Sequence, residues 1–198
     1  MKRAIIASIL GIAASVASVS STSGQGYIVF SNYGYTTYAR VTFTPSGPGV
    51  DSDYYAVLYY FLGTANPITP SYLDPVTAYG FTQNAGQTQI NTGQFASPAG
   101  AGFFTGGAVI IPDYVSGPIT FIVGAYNSVY PPSGDYASAF YRAHSASFTL
   151  NSIATGALPV PEFGPGFQPF SIIPEPSAAA LGVLGLVSLL ILRRRRRP

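Results

Sequence analysis

Along the middle of the chain apolar and polar positions alternate with a period of two. In Tyr38-Ala39-Arg40-Val41-Thr42-Phe43-Thr44, the residues Ala39, Val41 and Phe43 fall on one face and Arg40, Thr42 and Thr44 on the other. Residues 144–150 repeat the pattern, with His144, Ala146, Phe148 and Leu150 set against Ser145, Ser147 and Thr149. Successive side chains of a strand point to opposite faces, so each segment predicts a half-buried strand. Segments 27–30, 54–62, 108–111, 119–126 and 136–142 also read as strands, and weaker ones are expected over 76–82 and 88–95. Segment 54–62 is apolar throughout, as a strand buried on both faces would be.

The breaks carry turn chemistry: Pro45-Ser46-Gly47-Pro48-Gly49, Thr105-Gly106-Gly107, Ser116-Gly117-Pro118 and Pro131-Pro132-Ser133-Gly134. Short strands without a helical period between them predict an all-β domain, an antiparallel β-sandwich or jelly-roll, over residues 25–157. Residues 158–173 are rich in proline (Pro159, Pro161, Pro165, Pro169) and read as an extended spacer. Phe163, Phe167, Phe170 and Ile172 are apolar enough that part of this stretch is also expected to dock as a final edge strand.

Composition supports the β reading. The 198 residues include 15 Tyr and 13 Phe, and Lys and Glu, the usual surface residues of helices, are nearly missing between the chain ends. There is no cysteine, which excludes disulfides, thiolate metal sites and cysteine nucleophiles. Charge is segregated. The formal net charge of +2 comes from Lys2, Arg3 and the arginines at the far end, whereas residues 24–173 hold Arg40 and Arg142 against Asp51, Asp53, Asp74, Asp113, Asp135 and Glu162. A nucleic-acid-binding domain is disfavoured, because the middle lacks the cations that neutralise phosphates.

Both ends read as addresses. Lys2 and Arg3 precede a continuous apolar run over residues 4–19 and small residues over 20–24, the three-part layout of a secretory signal peptide over residues 1–24. Cleavage after Ala17, Ser20, Ser23 or Gly24 satisfies the small-residue rule equally. At the other end Pro174, Glu175 and Pro176 precede a second apolar run over 178–192, followed by Arg193, Arg194, Arg195, Arg196 and Arg197. As a helix that run is about 23 Å long, short against a bilayer core of about 30 Å, and snorkelling arginines with local thinning cover the difference. The arginines act as the membrane stop-transfer end and keep the C-terminus cytoplasmic, which puts the domain outside, in agreement with the export signal.

A Pro-Glu-Pro triplet, a short apolar helix and a terminal arginine cluster, combined with a signal peptide, resemble the PEP-CTERM sorting signal of bacterial exosortase substrates. The resemblance covers residues 174–198. It implies recognition at Pro174, Glu175 and Pro176 by an integral-membrane, cysteine-protease-like sorting enzyme, typically in bacteria that make exopolysaccharide. The tail is then removed and the domain released or attached at the surface. Two prolines hold such a triplet extended and outside any helix, as a protease groove requires.

Within the domain, candidate chemistry is sparse. His144 is the only histidine, so any imidazole base or ligand has to be this residue, and its place at a strand end suggests a rim position. A Ser-His-Asp site would need Ser133 or Ser145 with Asp135, and Ser145 adjoins His144 on a strand, facing the opposite way. No Gly-x-Ser-x-Gly elbow is present. Asp51 and Asp53 place two carboxylates just before a strand, a weak candidate for calcium and otherwise solvated loop acids. Tyr33, Tyr35 and Tyr38, and Tyr54, Tyr55, Tyr59 and Tyr60, cluster as sugar-gripping aromatic faces do, although tyrosine is also a common strand residue.

These readings lead to one expectation: an exported, non-enzymatic cell-surface or extracellular-matrix protein with no cofactor. Its expected partners are the Sec-type export machinery, an exosortase-type enzyme and the membrane through its C-terminal helix. The alternative is an extracellular polysaccharide-binding module with tyrosine-rich faces, assisted by calcium or not.

Overall fold

The computed structural model describes residues 24–34, 39–72, 75–129, 134–156 and 159–173. Tyr35, Tyr38, Ser133, the stretch before Gly24 expected to be a signal peptide and everything from Pro174 onward lie outside the described residues. Ten strands are formed: β1 Gln25–Ser31, β2 Val41–Thr42, β3 Tyr54–Leu62, β4 Ser71–Tyr72, β5 Thr82–Gln89, β6 Thr105–Pro112, β7 Ile119–Asn127, β8 Arg142–His144, β9 Phe148–Leu150 and β10 Phe170–Ser171. Among the described residues there is no α-helix, only three short 3₁₀ turns. The fold is all-β, with antiparallel sheets.

Its centre is the β3–β7 pair. The two strands pair antiparallel along nine residues each, from Tyr54 opposite Asn127 to Leu62 opposite Ile119, with no shift in register. Every residue of β7 is buried, which explains its near-continuous apolar sequence. The larger sheet runs β4-β8-β7-β3-β5, with β9 on the other end of β7, and β1–β6 forms a second antiparallel pair. Period two then sorts the side chains. Leu58 and Tyr60 of β3 and Phe121 and Val123 of β7 point into one core with Ile28 and Phe30 of β1 and Ile111 of β6. Val57, Tyr59, Ile122 and Tyr126 point the other way, against Val76, Phe81, Tyr136 and Ala139.

The proline-rich stretch belongs to the first core. Phe163, Phe167, Phe170 and Ile172 are buried there. Phe163 lies 5.1 Å from the Phe148 ring and 5.2 Å from that of Phe167, centroid to centroid. β10 pairs parallel to β2, and the Ile172 and Ile173 amides continue the ladder onto the Thr42 and Phe43 carbonyls, each at 2.9 Å.

Several expected strands take other shapes, each for a local reason. Segment 76–82 is a 3₁₀ turn over Val76–Tyr79, opened by Pro75 and closed by Gly80 at φ 81°. Segment 136–142 is mostly turn, because the Asp135 carboxylate accepts from the Ser138 amide and hydroxyl and curls the backbone; only Arg142 joins β8. Segment 88–95 yields its strand earlier, as β5, because the register with β3 decides; Asn91, at φ 56°, then turns the chain. Segment 144–150 is cut in two. The Ser145 and Ser147 hydroxyls accept from the Val123 and Ile68 amides at 3.0 and 2.8 Å, so both serines serve neighbouring segments. Segment 38–44 contracts to Val41–Thr42, and the Phe43 amide turns back to the Pro48 carbonyl at 3.0 Å.

Candidate functional site

His144 lies in the interior and not at the rim. β8 sets it opposite Gly124 of β7 and Ser71 of β4, the side chain is fully buried, and Nδ1 sits 2.8 Å from the Ser145 carbonyl oxygen. The alternation put His144 on one face with Phe148, but paired with Gly124 it faces away from the core that holds Ala143 and Phe148, because the break at Ser145–Ser147 resets the period between β8 and β9. The Ser145 hydroxyl donates to the Ala146 carbonyl at 2.8 Å while accepting from Val123, so it is committed to backbone. Asp135 is exposed, and the Ser138 amide and hydroxyl, aided by Arg142, hold its carboxyl below the usual carboxylate range. It is a turn cap. The three groups do not converge on one reacting point.

Asp51 and Asp53 are both exposed, and the Asp51 carboxylate accepts from the Asp53 amide at 3.1 Å, closing the loop on itself. The Asp53 carbonyl takes the Ser128 amide and hydroxyl at 2.9 and 3.2 Å. Among the described residues no three His, Cys, Asp or Glu side chains come together as a metal would require.

The tyrosine cluster of β3 is split by the alternation itself. Tyr54 and Tyr60 face one core and Tyr59 the other. Tyr59 donates to Gln83 Oε1 at 3.3 Å, and burial, with the Asp135 charge second, pushes its hydroxyl pKa up to about 12. Tyr55 keeps partial exposure and stacks on Tyr126 at 6.0 Å and 28°, and the Tyr126 hydroxyl donates to Gln87 at 2.7 Å. Tyr33 is 47% exposed, with its ring edge-on to Phe95 and Phe103.

A cleft that sequence reading missed lies beyond the end of β3. It holds about 400 Å³, walled by Phe61, Tyr79 and Phe81 with Thr64 and Asn66 beside them, and no charged side chain lines it. Its parts come from a strand end, a loop and a 3₁₀ turn, so no local motif marks it. Aromatic walls with neutral amide and hydroxyl groups suit an uncharged ligand that has one apolar face.

Both arginines of the domain have structural work. Arg40 donates to the Ala99 carbonyl and lies 4.8 Å over the Phe103 ring. Arg142 donates to the Ala137 and Ala139 carbonyls. Five acids and these two arginines are the charged side chains of the described residues, a surface unsuited to phosphate.

No protein-family model matches the chain, and no curated protein or solved structure matches it. Among the described residues no helix is long and apolar enough to cross a membrane.

Proposed function

We propose that this chain is an exported, non-enzymatic component of the cell surface or extracellular matrix. Its β-sandwich or jelly-roll domain is delivered by an N-terminal signal peptide and sorted through a PEP-CTERM tail by an exosortase-type enzyme. The observation that carries the reading is the order Pro174-Glu175-Pro176, apolar run, five arginines, at one end of a chain whose other end has the layout of an export signal. Export, transient anchoring, recognition at the triplet and release or attachment are the mechanism.

The test is the intact mass of the protein from its native cells, measured by fraction. A mature species lacking both the stretch before about Gly24 and everything beyond the triplet is expected. A membrane-bound species that keeps Arg193 to Arg197 would make the tail a permanent anchor and end the sorting proposal.

The Phe61–Tyr79–Phe81 cleft favours a second reading, in which the domain holds neutral polysaccharide. Retention on insoluble matrix glycan that Tyr79→Ala abolishes would support it. Equal retention of both proteins, or none, would remove it.

A further inference from the structure

The domain leaves the described residues beside an exposed aromatic patch. Phe140 is 64% and Phe43 38% exposed. Tyr141 joins them, edge-on to Phe140 at 4.9 Å and tilted toward Phe43 at 6.4 Å, so the three rings form one continuous surface. The Ile173 amide donates to the Phe43 carbonyl at 2.9 Å, which fastens the last described residue to the patch itself. From Ile173 to the first residue of the apolar run at Ala178 there are only four intervening residues, a reach of about 18 Å at full extension.

We infer that Phe43, Phe140 and Tyr141 are a contact surface for the lipid–water interface of the membrane that holds the tail. The inference rests on the tail reading above and adds to it which face of the domain meets the bilayer. Three observations carry it. Phe43 and Phe140 are exposed and are joined by the half-buried Tyr141 into one group, whereas single exposed hydrophobics elsewhere need no explanation. Aromatic side chains favour the interfacial zone, where an apolar ring and a polar tip such as the Tyr141 hydroxyl are both accommodated. The tether length keeps the patch close to the bilayer once the tail is inserted, so even a weak contact is held at high local concentration. Charge plays little part, because Arg142, next to the patch, is engaged with the Ala137 and Ala139 carbonyls and the domain is net acidic. The contact therefore forms on zwitterionic lipid and resists salt.

The chain contains no tryptophan, so a single introduced one reports without background. Phe140→Trp and Val115→Trp proteins that lack residues 1–24, the expected signal peptide, and keep the C-terminal tail are reconstituted in phosphatidylcholine vesicles with brominated acyl chains. Val115 is 70% exposed and just precedes β7, whereas Tyr141 accepts from Asn127 at the far end of that strand, about 27 Å away. With the protein floating on the vesicles, the tryptophan at 140 is expected to shift to the blue and to be quenched several-fold more than the one at 115. Equal quenching overturns the inference while leaving the tail anchor standing. A tryptophan at 140 that is shielded from acrylamide yet untouched by brominated lipid marks a contact between two copies, and also overturns it. Failure to float removes the tail anchor and this inference together.

Discussion

Replacing Phe163 by alanine tests whether the proline-rich stretch belongs to the domain or only follows it. Phe163 is fully buried, ringed by Phe148 at 5.1 Å, Phe167 at 5.2 Å, Phe30 at 6.0 Å and Phe121 at 6.4 Å. Those neighbours come from three other places in the chain, β9, β1 and β7, and, for Phe167, from the stretch itself. Truncating a buried phenylalanine costs about 3–5 kcal/mol, and the cost rises with the volume the surroundings fail to reclaim. Here three of the lining rings, Phe148, Phe30 and Phe121, sit on paired strands and cannot slump inward, which places the loss at about 4 kcal/mol. For a domain of this size that is a fall in Tm of roughly 8–16 °C. With a urea slope near 2 kcal/mol/M it is a drop of about 2 M in the midpoint. Urea titration of the two proteins by circular dichroism reads it directly, with the slope expected to stay constant. Gln168→Ala is the matched control: that residue is exposed and bonded only to the Pro165 carbonyl at 2.8 Å, so its midpoint should move by less than about 0.5 kcal/mol. If Phe163→Ala moves no further than Gln168→Ala, the stretch is a spacer after all and its docking is refuted.

Other consequences concern polar groups and backbone. Asn32 is fully buried; its amide donates to the Ala39 and Gly102 carbonyls and its oxygen accepts from the Phe104 amide, all at 2.8 Å. Asn32→Leu strands the Ala39 carbonyl and the Phe104 amide, whereas the Gly102 carbonyl keeps the Val41 amide at 3.0 Å; at about 1–3 kcal/mol for each stranded group a loss of at least about 2 kcal/mol is expected in the same titration, and a loss under about 1 would contradict the geometry. Gly102 takes φ +82°, and a Cβ there would stand 2.3 Å from the Val41 carbonyl oxygen. Gly102→Ala should therefore cost at least about 2 kcal/mol, and an unchanged Tm would refute the strain. Tyr59 ionises near pH 10 in the unfolded chain and near 12 in the fold, so the folded state holds the extra proton between them. Its contribution is complete below pH 10 and is lost as pH rises toward about 12, with Tyr54 and Tyr126, also raised by burial, acting in the same direction. Urea midpoints measured across that window should fall, and fall less in Tyr59→Phe; parallel curves would show that burial of Tyr59 is not the cause.

The strands legible in the sequence were those whose own residues make the argument. β3 and β7 are apolar end to end because each is flanked on both edges and covered on both faces. β5 was hidden, because its residues Thr82, Gln83, Gln87 and Gln89 resemble a loop and become a strand only through the register offered by β3. Residues 159–173 carried both signals, prolines of a spacer and phenylalanines of a docking strand, and the second prevails. Proline removes ladder donors without preventing burial, so phenylalanines at 163, 167 and 170 fill a core although only two residues there pair as strand. Function divides along the same line. The tail is a contiguous pattern and can be read directly, whereas the aromatic cleft and the Phe43–Phe140–Tyr141 patch join residues far apart in sequence and exist only once the sheets are paired.

The placement of the last core residues also bears on the sorting proposal. Among the described residues the first core takes in Phe167, Phe170 and Ile172, and the last backbone bond is made by Ile173, immediately before Pro174. A cut in or beyond Pro174-Glu175-Pro176 would therefore spare every ring contact and every strand pair, and the released domain should keep the Tm of the anchored one. A cut at residue 158 would remove Phe163, Phe167 and Phe170 together, a loss about three times that of Phe163→Ala and comparable to the whole of the roughly 5–15 kcal/mol that holds a typical domain folded. On the sorting proposal, a cut at the triplet would therefore leave Phe163, Phe167 and Phe170 with the passenger, whereas a cut before them would take them away.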